Sequence, residues 1–401
     1  MRLLFDDESF HFEMLRIIAH GRYGGSDVAE VFTAAGPVKV GDFESWYASF
    51  YDLAQRTENS VKSTSNLSKS QAVGAKDKLF AAANYYRAAD FYLHGKPSDP
   101  RIRSLWEQQT NCFNKALALL GNGFRHTLQA DGFEVPIIYY KAPGSGPHPT
   151  IILGNGVDGA QEEMLHISGF AALERGYNVI TYEGPGQPSV RRYQNLGFIN
   201  EWEKVVKPVV DFAVSQPEID ATRISLLGYS MGGYLCMRAA AFEHRIAAVL
   251  AVDGLYDMSN YETAMPEVYS LYTAGKRDAF NEKMAAVLAS GKLPTSSQWG
   301  LEHAFWAFNK DNASKFFDAI RPWTLDGVID KVECPAYIGA AEGDIFFKGQ
   351  PEKVAKALGK QAHYRLYTNA EGAGAHCQVG AAVLLNDEIF DWLEDKTNKK
   401  T

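Results

Sequence analysis

Hydrophobic residues in the first part of the chain recur with a helical period. The segment from Asp42 to Gln55 spaces its aromatic residues three and four apart, behind an aspartate suited to cap a helix. Residues 70–94 are rich in alanine and stop before Gly95, and a third amphipathic segment runs from Asp99 to Gly121. We therefore predict three helices here, with a polar loop over residues 59–70.

After Gly123 the pattern changes to short apolar runs separated by helical segments. The first two runs flank Asp131-Gly132, a dipeptide typical of a tight hairpin. The predicted strands are Phe124–Leu128, Val135–Tyr140, Thr150–Leu153, Asn178–Tyr182, Ile224–Leu227, Ile246–Val252, Ala336–Ala340 and His363–Tyr367. The predicted helices among them are Glu162–Arg175, Ile199–Ser215, Gly232–Phe242, Pro351–Leu358 and Ala381–Glu394. This alternation predicts an α/β fold in which a mostly parallel sheet carries helices on both faces.

The interval 253–335 breaks this rhythm, because it has a helical pattern and many aromatic residues. They are Tyr261, Tyr269, Tyr272, Phe280, Trp299, Phe305, Trp306, Phe308, Phe316, Phe317 and Trp323. An insertion here would lie over the carboxyl ends of the strands, where open α/β sheets bind ligands. We predict an N-terminal helical lid or cap domain over residues 1–122. A catalytic α/β domain over residues 123–401 would follow, with a helical lid insertion at about 254–333.

Composition narrows the choice of partners. The chain has 401 residues, of which 46% are hydrophobic and 22% charged, with a net charge of −8 and no run of Lys or Arg. This argues against nucleic-acid binding, which needs a basic face. The four cysteines are scattered without a CxxC pair, so we expect reduced thiols and no bound metal. We see no signal peptide and no uncharged stretch of the length that a membrane span needs, so we expect a cytoplasmic protein without membrane contact.

One motif points to nucleophilic catalysis. A predicted strand runs into Gly228-Tyr229-Ser230-Met231-Gly232, and an apolar helix follows. G-x-S-x-G between a strand and a helix is typical of a sharp turn that exposes a serine hydroxyl. We predict Ser230 as the nucleophile. The alternative is a glycine-rich turn whose serine only caps the helix.

A serine hydroxyl needs a base to take its proton and an acid to orient that base. In this architecture the acid and then the histidine follow the serine, each just after a strand. We predict Asp344 as the acid and His376 as the base. Three other carboxylates stay open as the acid: Asp253, Asp257 and Glu342. His376 could also be an ordinary solvated loop histidine.

Backbone N–H groups must stabilise the developing oxyanion. We predict the N–H of Met231 as one donor and the N–H of Val157, with Gly156 as an alternative, as the second. The loop that contains Val157 also spells G-x-G-x-x-G, the pattern of dinucleotide-binding loops. The acidic residues 158, 162 and 163 would repel a pyrophosphate at the helix start, so we expect no cofactor.

Substrate contacts are less constrained by the sequence. Asp158, Glu183 and Tyr229 flank the predicted loops of the site, and Arg191 could bind an anionic or enolate oxygen. These four are the candidate substrate-binding residues, although Arg191 could equally be a surface charge. The aromatic insertion would suit a flat or conjugated substrate.

With these motifs in view, the chain resembles the α/β-hydrolase branch that includes 2,6-dihydroxypseudooxynicotine hydrolase. It also resembles fungal hydrolases that trim or release polyketides in the melanin, naphthopyrone and other secondary-metabolite pathways. The motifs that carry the resemblance are Ala82-Ala83-Asn84-Tyr85-Tyr86-Arg87-Ala88-Ala89, Gly156-Val157-Asp158-Gly159 with Glu162-Glu163, Glu183-Gly184-Pro185-Gly186-Gln187, Gly228–Gly233 and His376-Cys377-Gln378-Val379-Gly380.

The resemblance implies an α/β-hydrolase fold and a metal-free Ser-Asp-His enzyme. Several members of this branch cleave a carbon–carbon bond next to a carbonyl, and relatives act as esterases or acyl transferases. We therefore expect hydrolysis of a polyketide-like, aromatic or conjugated small molecule, by a retro-Claisen step or at an ester or lactone. An acyltransferase or cyclase with the same residues is the alternative, and a hydrolase-like binding protein without turnover is a third. A homodimer stays open, since exposed aromatic helices in the first 122 residues would need cover.

Overall fold

The computed structural model describes residues 4–258 and 266–398. Its helices are α1 (Glu8–Ala19), α2 (Val28–Ala35), α3 (Phe43–Asn59), α4 (Lys69–Asp90), α5 (Arg101–Leu120), α6 (Gln161–Met164), α7 (Phe170–Glu174), α8 (Pro188–Tyr193), α9 (Glu203–Ser215), α10 (Met231–Ala240), α11 (Pro266–Thr273), α12 (Arg277–Ala289), α13 (Thr295–Ala307), α14 (Ala313–Ile320), α15 (Gln350–Leu358) and α16 (Ala382–Thr397). Tyr261 of the predicted aromatic insertion lies outside the described residues.

The strands form one sheet in the order β1-β2-β4-β3-β5-β6-β7-β8. They are β1 (Gly123–Gln129), β2 (Glu134–Tyr140), β3 (His148–Gly154), β4 (Asn178–Tyr182), β5 (Ile219–Tyr229), β6 (Ala248–Val252), β7 (Ala336–Ala341) and β8 (Ala362–Tyr367). The β1–β2 and β2–β4 pairs are antiparallel and the remaining neighbours are parallel. The predicted mostly parallel sheet is confirmed. Its central strands β4 and β6 are buried along their whole length, as expected for strands covered on both faces.

The N-terminal region is helical, as predicted, but it begins earlier than the sequence pattern suggests. Two helices, α1 and α2, precede the first predicted one. Asp7 caps α1 by accepting the N–H of Phe10. The buried face of α1 alternates apolar residues with Ser9, Glu13 and Arg16. These buried polar residues interrupt the hydrophobic period, and for that reason the pattern of apolar positions does not reveal α1.

Between β6 and β7 the chain forms the predicted helical insertion, α11 to α14. Phe316 packs against Phe305 and Phe308, and Phe308 contacts Trp323, so aromatic rings build the insertion's own core. The role of the insertion as a lid and the domain boundary at residue 122 stay predictions. Within the described residues, no helix is both long and apolar enough to cross a membrane.

Candidate active site

Ser230 stands on a strained turn between β5 and α10. Its backbone has φ 58° and ψ −129°, a region that side-chain-bearing residues rarely adopt. A Cβ at Gly228 would overlap the backbone carbonyl of Gly232, so only glycine fits there. The N–H of Ser230 donates to the carbonyl of Val252 on β6, at 2.8 Å, which ties the turn to the neighbouring strand.

The structure brings Ser230, His376 and Asp344 together although they are far apart in sequence. His376 Nε2 lies 2.9 Å from Ser230 Oγ, and His376 Nδ1 lies 2.9 Å from Asp344 Oδ2. With Nδ1–H donated to the carboxylate, Nε2 is free to accept the serine proton. The other carboxylate oxygen of Asp344 accepts the N–H groups of Phe346 and Phe347, at 2.7 and 3.0 Å. The acid and the imidazole are both buried, so this geometry is sheltered from water.

The charges at this cluster favour an imidazole that binds a proton readily. Burial alone would lower the pKa of His376, but the adjoining Cys377 and the Asp344 carboxylate outweigh burial and raise that pKa well above its usual value. Burial alone would raise the pKa of Asp344, but the facing His376 lowers it below its usual value. An ionised Asp344 beside a basic His376 is the arrangement that general-base chemistry requires.

Asp253, at the end of β6, is the nearest of the alternative acids. Its Oδ2 lies 3.9 Å from His376 Nδ1, beyond hydrogen-bonding reach. That oxygen accepts the backbone N–H of Cys377 and, at 3.0 Å, the Nε2–H of Gln378. Burial and the neighbouring Asp344 raise the pKa of Asp253 to about 7. Asp253 therefore binds the histidine's loop instead of the imidazole.

The other two alternative acids bind elsewhere. Asp257 pairs with Lys353 at 3.3 Å. Glu342 is exposed and accepts the backbone N–H of Asn369 at 2.6 Å. Asp253 and Glu342 thus both bind the loop between β8 and α16, Asp253 at Cys377 and Gln378 next to His376 and Glu342 at Asn369.

Backbone strain is concentrated around this cluster. In the described residues, seven non-glycine residues have positive φ, and three of them are asparagines, which tolerate it. The other four are Ser230, Asp253, Cys377 and Gln378, with φ between 50° and 58°. Strain of this kind persists where the surroundings over-determine the backbone, and it is common at functional sites.

The loop over residues 155–159, called here the β3 loop, passes directly over Ser230. A Cβ at Gly156 would lie 3.0 Å from Ser230 Cβ and 3.2 Å from the backbone nitrogen of Met231. Gln187 Nε2–H donates to the carbonyls of Asn155 and Gly156, at 2.9 and 3.2 Å. Within the described residues, the N–H groups of Val157 and Met231 donate to no protein acceptor. Both predicted oxyanion donors are thus available beside the serine, although their role stays a prediction.

A cavity opens onto Ser230 and His376. Its apolar walls come from Phe12, Ala19, Met164, Ile167, Trp299, Phe346, Phe347, Val379, Ala382 and Leu385. The polar side chains that line it outside the cluster include Arg16, His20, Asp158 and His166. Such a chamber suits a mostly apolar molecule with a few polar groups.

The predicted substrate-binding residues divide into two pairs. Asp158 and Tyr229 line the cavity. Glu183 and Arg191 are not among the described residues that line it. Glu183 is fully buried and accepts the N–H groups of Gln161 and Ser189 at the starts of α6 and α8.

Arg191 is turned towards the insertion. It donates to the carbonyl of Trp306 at 2.6 Å and to the side chains of Asn195 and Asn309. A strand-end position therefore did not suffice to place a side chain in the cavity, because Glu183 caps helices and Arg191 crosslinks surface loops.

Sequence reasoning missed the contribution of α1. Arg16 lines the cavity and donates to Glu163 at 2.6 and 2.7 Å and to Asp158 at 2.6 Å. Burial alone would raise the pKa values of Asp158 and Glu163, but Arg16 lowers both. The sequence does contain a signal for such a contact. Acidic residues at a buried helix start require a cation, and because none lies nearby in the sequence, a distant part of the chain must supply it.

In the part of the chain that the structure describes, the residues grouped closely enough to ligate a metal do not form a suitable donor set. Asp253, His376 and Cys377 bring potential ligand atoms within 4.8 Å of one another. However, His376 Nδ1 and Asp253 Oδ2 already have hydrogen-bond partners. Burial raises the pKa of Cys377 to about 11, so its thiol stays protonated near neutral pH.

Comparison with known proteins agrees with this architecture. Residues 151–387 match the model of the alpha/beta hydrolase family. The chain is 30% identical over 425 residues to the hydrolase LUC6 of Fusarium sp and, equally, to the 20-hydroxy-prefusarin hydrolase FUS2 of Gibberella moniliformis, with 98% of each chain covered in both cases. It is similar in structure to 2,6-dihydroxy-pseudo-oxynicotine hydrolase, with a TM-score of 0.73 at 23% identity, covering 94% of this chain and 95% of that one. The expected resemblance and fold are confirmed.

Proposed function

The chain belongs to the alpha/beta hydrolase family, and from that premise we propose that it is a serine hydrolase with Ser230, His376 and Asp344 as its catalytic triad. The observation that carries the proposal is the pair of 2.9 Å contacts that link these three side chains. In this mechanism His376 takes the proton of Ser230 as the hydroxyl attacks a substrate carbonyl. The N–H groups of Val157 and Met231 stabilise the oxyanion.

The substrate of this proposal is a polyketide-like carbonyl compound with an aromatic or conjugated body. The apolar cavity walls and the aromatic rings of Phe12, Trp299 and Phe346 support a flat molecule. The similarity to fungal hydrolases, one of them a hydrolase of 20-hydroxy-prefusarin by name, supports a place in secondary metabolism.

For a β-dicarbonyl substrate, the tetrahedral intermediate expels an enolate as the carbon–carbon bond breaks, and protonated His376 returns the proton to carbon. For an ester or lactone the leaving group is an alkoxide. In both cases water, activated by His376, releases the acyl group from Ser230. No metal or organic cofactor takes part in either route.

A fluorophosphonate probe tests the nucleophile. We expect the wild-type protein to be labelled and Ser230→Ala to remain unlabelled. Ser225→Ala is the matched control, because Ser225 is a buried serine on β5, the strand that leads to Ser230, and its hydroxyl has no partner within the described residues. Equal labelling of wild type and Ser230→Ala would contradict the proposal.

Mass spectrometry of products formed in ¹⁸O-labelled water distinguishes the bond that is cleaved. A β-dicarbonyl polyketide that loses an acyl fragment, with one ¹⁸O in the new carboxylate, indicates carbon–carbon hydrolysis. A labelled acid released together with an unlabelled alcohol indicates ester cleavage. A product without ¹⁸O, in which the acyl group has moved to an alcohol or amine, would contradict hydrolysis and favour acyl transfer or cyclisation.

A further inference from the structure

The β3 loop receives a hydrogen bond from the insertion. His303, on α13, lies with its Nε2 3.1 Å from the carbonyl oxygen of Val157. The side chain is 3% exposed, so little water competes for this contact. The residue whose N–H is proposed to stabilise the oxyanion is therefore bound, on its carbonyl side, by a histidine from outside the sheet.

His303 is itself oriented by a second buried histidine. His94 Nδ1 lies 3.2 Å from His303 Nδ1, and Arg192 Nη2 lies 3.1 Å from His94 Nε2. Arg192 also pairs with the buried carboxylate of Asp90. Burial and the neighbouring His94 lower the pKa of His303 to about 3, which keeps its ring neutral.

A guanidinium can only donate and a carbonyl can only accept, so the hydrogen bonds from Arg192 to the Val157 carbonyl run in one direction. Arg192 donates to His94, His94 donates to His303, and His303 donates to Val157. Each ring then uses one nitrogen as a donor and the other as an acceptor, so its tautomer is defined. A chain of this kind is costly to break, because a buried nitrogen that loses its partner is left unsatisfied or with a longer contact, such as the 3.3 Å from His94 Nδ1 to the Phe91 carbonyl.

The rest of the β3 loop is bound from other directions. Gln187 donates to the carbonyls of Asn155 and Gly156, and Arg16 donates to the carboxylate of Asp158 at 2.6 Å. The Gly156 carbonyl belongs to the same peptide group as the Val157 N–H, and the Val157 carbonyl belongs to the next. Both peptide groups that flank Val157 are thereby fixed.

We propose that His303 is a positioning residue for the reaction: by binding the Val157 carbonyl it holds the Val157 N–H towards the oxyanion. The inference rests on the proposed function, in which that N–H stabilises the transition state. It assigns the insertion a catalytic consequence beyond covering the cavity. Trp299 lies one helical turn earlier on α13, where it lines the cavity and stacks on His303 with ring centroids 5.5 Å apart. The same helix therefore supplies both a wall of the cavity and the residue that binds the β3 loop.

Three variants and p-nitrophenyl acetate, a small ester that does not fill the cavity, test this role. His303→Phe keeps a flat ring but removes the donor, and we expect kcat to fall about 10- to 100-fold with KM changed less than about twofold. His303→Gln retains an N–H donor and should keep kcat within about fivefold of wild type. Phe308→Leu, which perturbs the insertion's aromatic core without touching the loop, is the matched control and should stay within about twofold.

Hydrogen exchange gives a second readout that does not depend on turnover. We expect the amides of residues 155–159 to exchange at least about fivefold faster in His303→Phe and at the wild-type rate in Phe308→Leu. Unchanged loop exchange in His303→Phe, or an equal loss of kcat in Phe308→Leu, would overturn the inference. If wild type neither hydrolyses the ester nor reacts with the fluorophosphonate, the proposed function fails, while the exchange result still decides whether His303 holds the loop.

Discussion

The two sides of the cavity are built differently. On the sheet side, the proposed catalytic groups follow strand ends: Ser230, on strained backbone, after β5, Asp344 after β7 and His376 after β8. On the helical side, α1 and α13 supply Arg16, Trp299 and other wall residues through ion pairs and ring contacts. The backbone of the sheet therefore determines where the reacting atoms lie, while side chains from distant helices determine the shape and charge of the space around them.

The largest expected effect tests the sheet side. Asp344→Asn should lower kcat by about 10⁴-fold, because the amide no longer holds His376 in the tautomer that accepts the serine proton. Asp253→Asn should cost about 10- to 100-fold, since Asp253 binds the backbone of Cys377 and the side chain of Gln378. Steady-state kinetics of the two variants provide the measurement. If Asp253→Asn proves the more damaging change, Asp344 is not the catalytic acid.

The next effect tests the helical side through stability. Arg16→Met should lower the free energy of unfolding by about 3–5 kcal/mol, because it removes the guanidinium that pairs with the buried Asp158 and donates twice to the buried Glu163, from which Arg87 lies 4.0 Å away. The exposed pair of Arg56 with Asp52 is the matched control, and Arg56→Met should cost less than about 1 kcal/mol. Urea denaturation measures both. Similar losses of unfolding free energy in the two variants would show that burial does not determine how much the Arg16 contacts contribute to stability.

The pH dependence of kcat/KM gives a smaller effect on the sheet side. Since the pKa of His376 is raised above its usual value, the protonated, inactive form persists above pH 6.5. Activity should therefore rise with pH, with the midpoint of the acid limb above pH 6.5. Residual activity of Asp344→Asn should show that midpoint at lower pH, because the carboxylate no longer favours the imidazolium. An unshifted midpoint in this variant would mean that the ionisation of a group other than His376 controls the rise of kcat/KM with pH.

The smallest expected effect concerns the shape of the cavity. Trp299→Phe should raise KM for an aromatic ester about 3- to 10-fold and change kcat less than about twofold, because it removes contact area but no reacting group. Trp392→Phe is the matched control: Trp392 has the same 8% exposure but packs against Tyr337 outside the cavity. A loss confined to kcat in Trp299→Phe would mean that this tryptophan contributes to the chemical step and not to substrate binding.

The sequence revealed the sheet side far better than the helical side. Strand-end rules placed Ser230, Asp344 and His376 at the carboxyl edge, because parallel strands and their connections follow a strict order. No comparable rule links Arg16 to Asp158, since their contact depends on how α1 packs across more than a hundred intervening residues. The predicted helix Glu162–Arg175 likewise contains a π-helical turn at Leu165–Gly169, which includes the cavity residues His166 and Ile167. Periodicity alone does not show such a turn.

The cavity wall supplied by α1 comes from a single run of 12 residues. Phe12, Arg16 and Ala19 all reach the chamber from it, and none of them belongs to the Ser-His-Asp cluster. Related enzymes could therefore acquire new selectivity through substitutions confined to this helix, provided that an arginine still pairs with Asp158 and Glu163. Chimaeras in which the LUC6 or FUS2 segment aligned with α1 replaces it in this chain test this idea, with Ser230, His376 and Asp344 left unchanged.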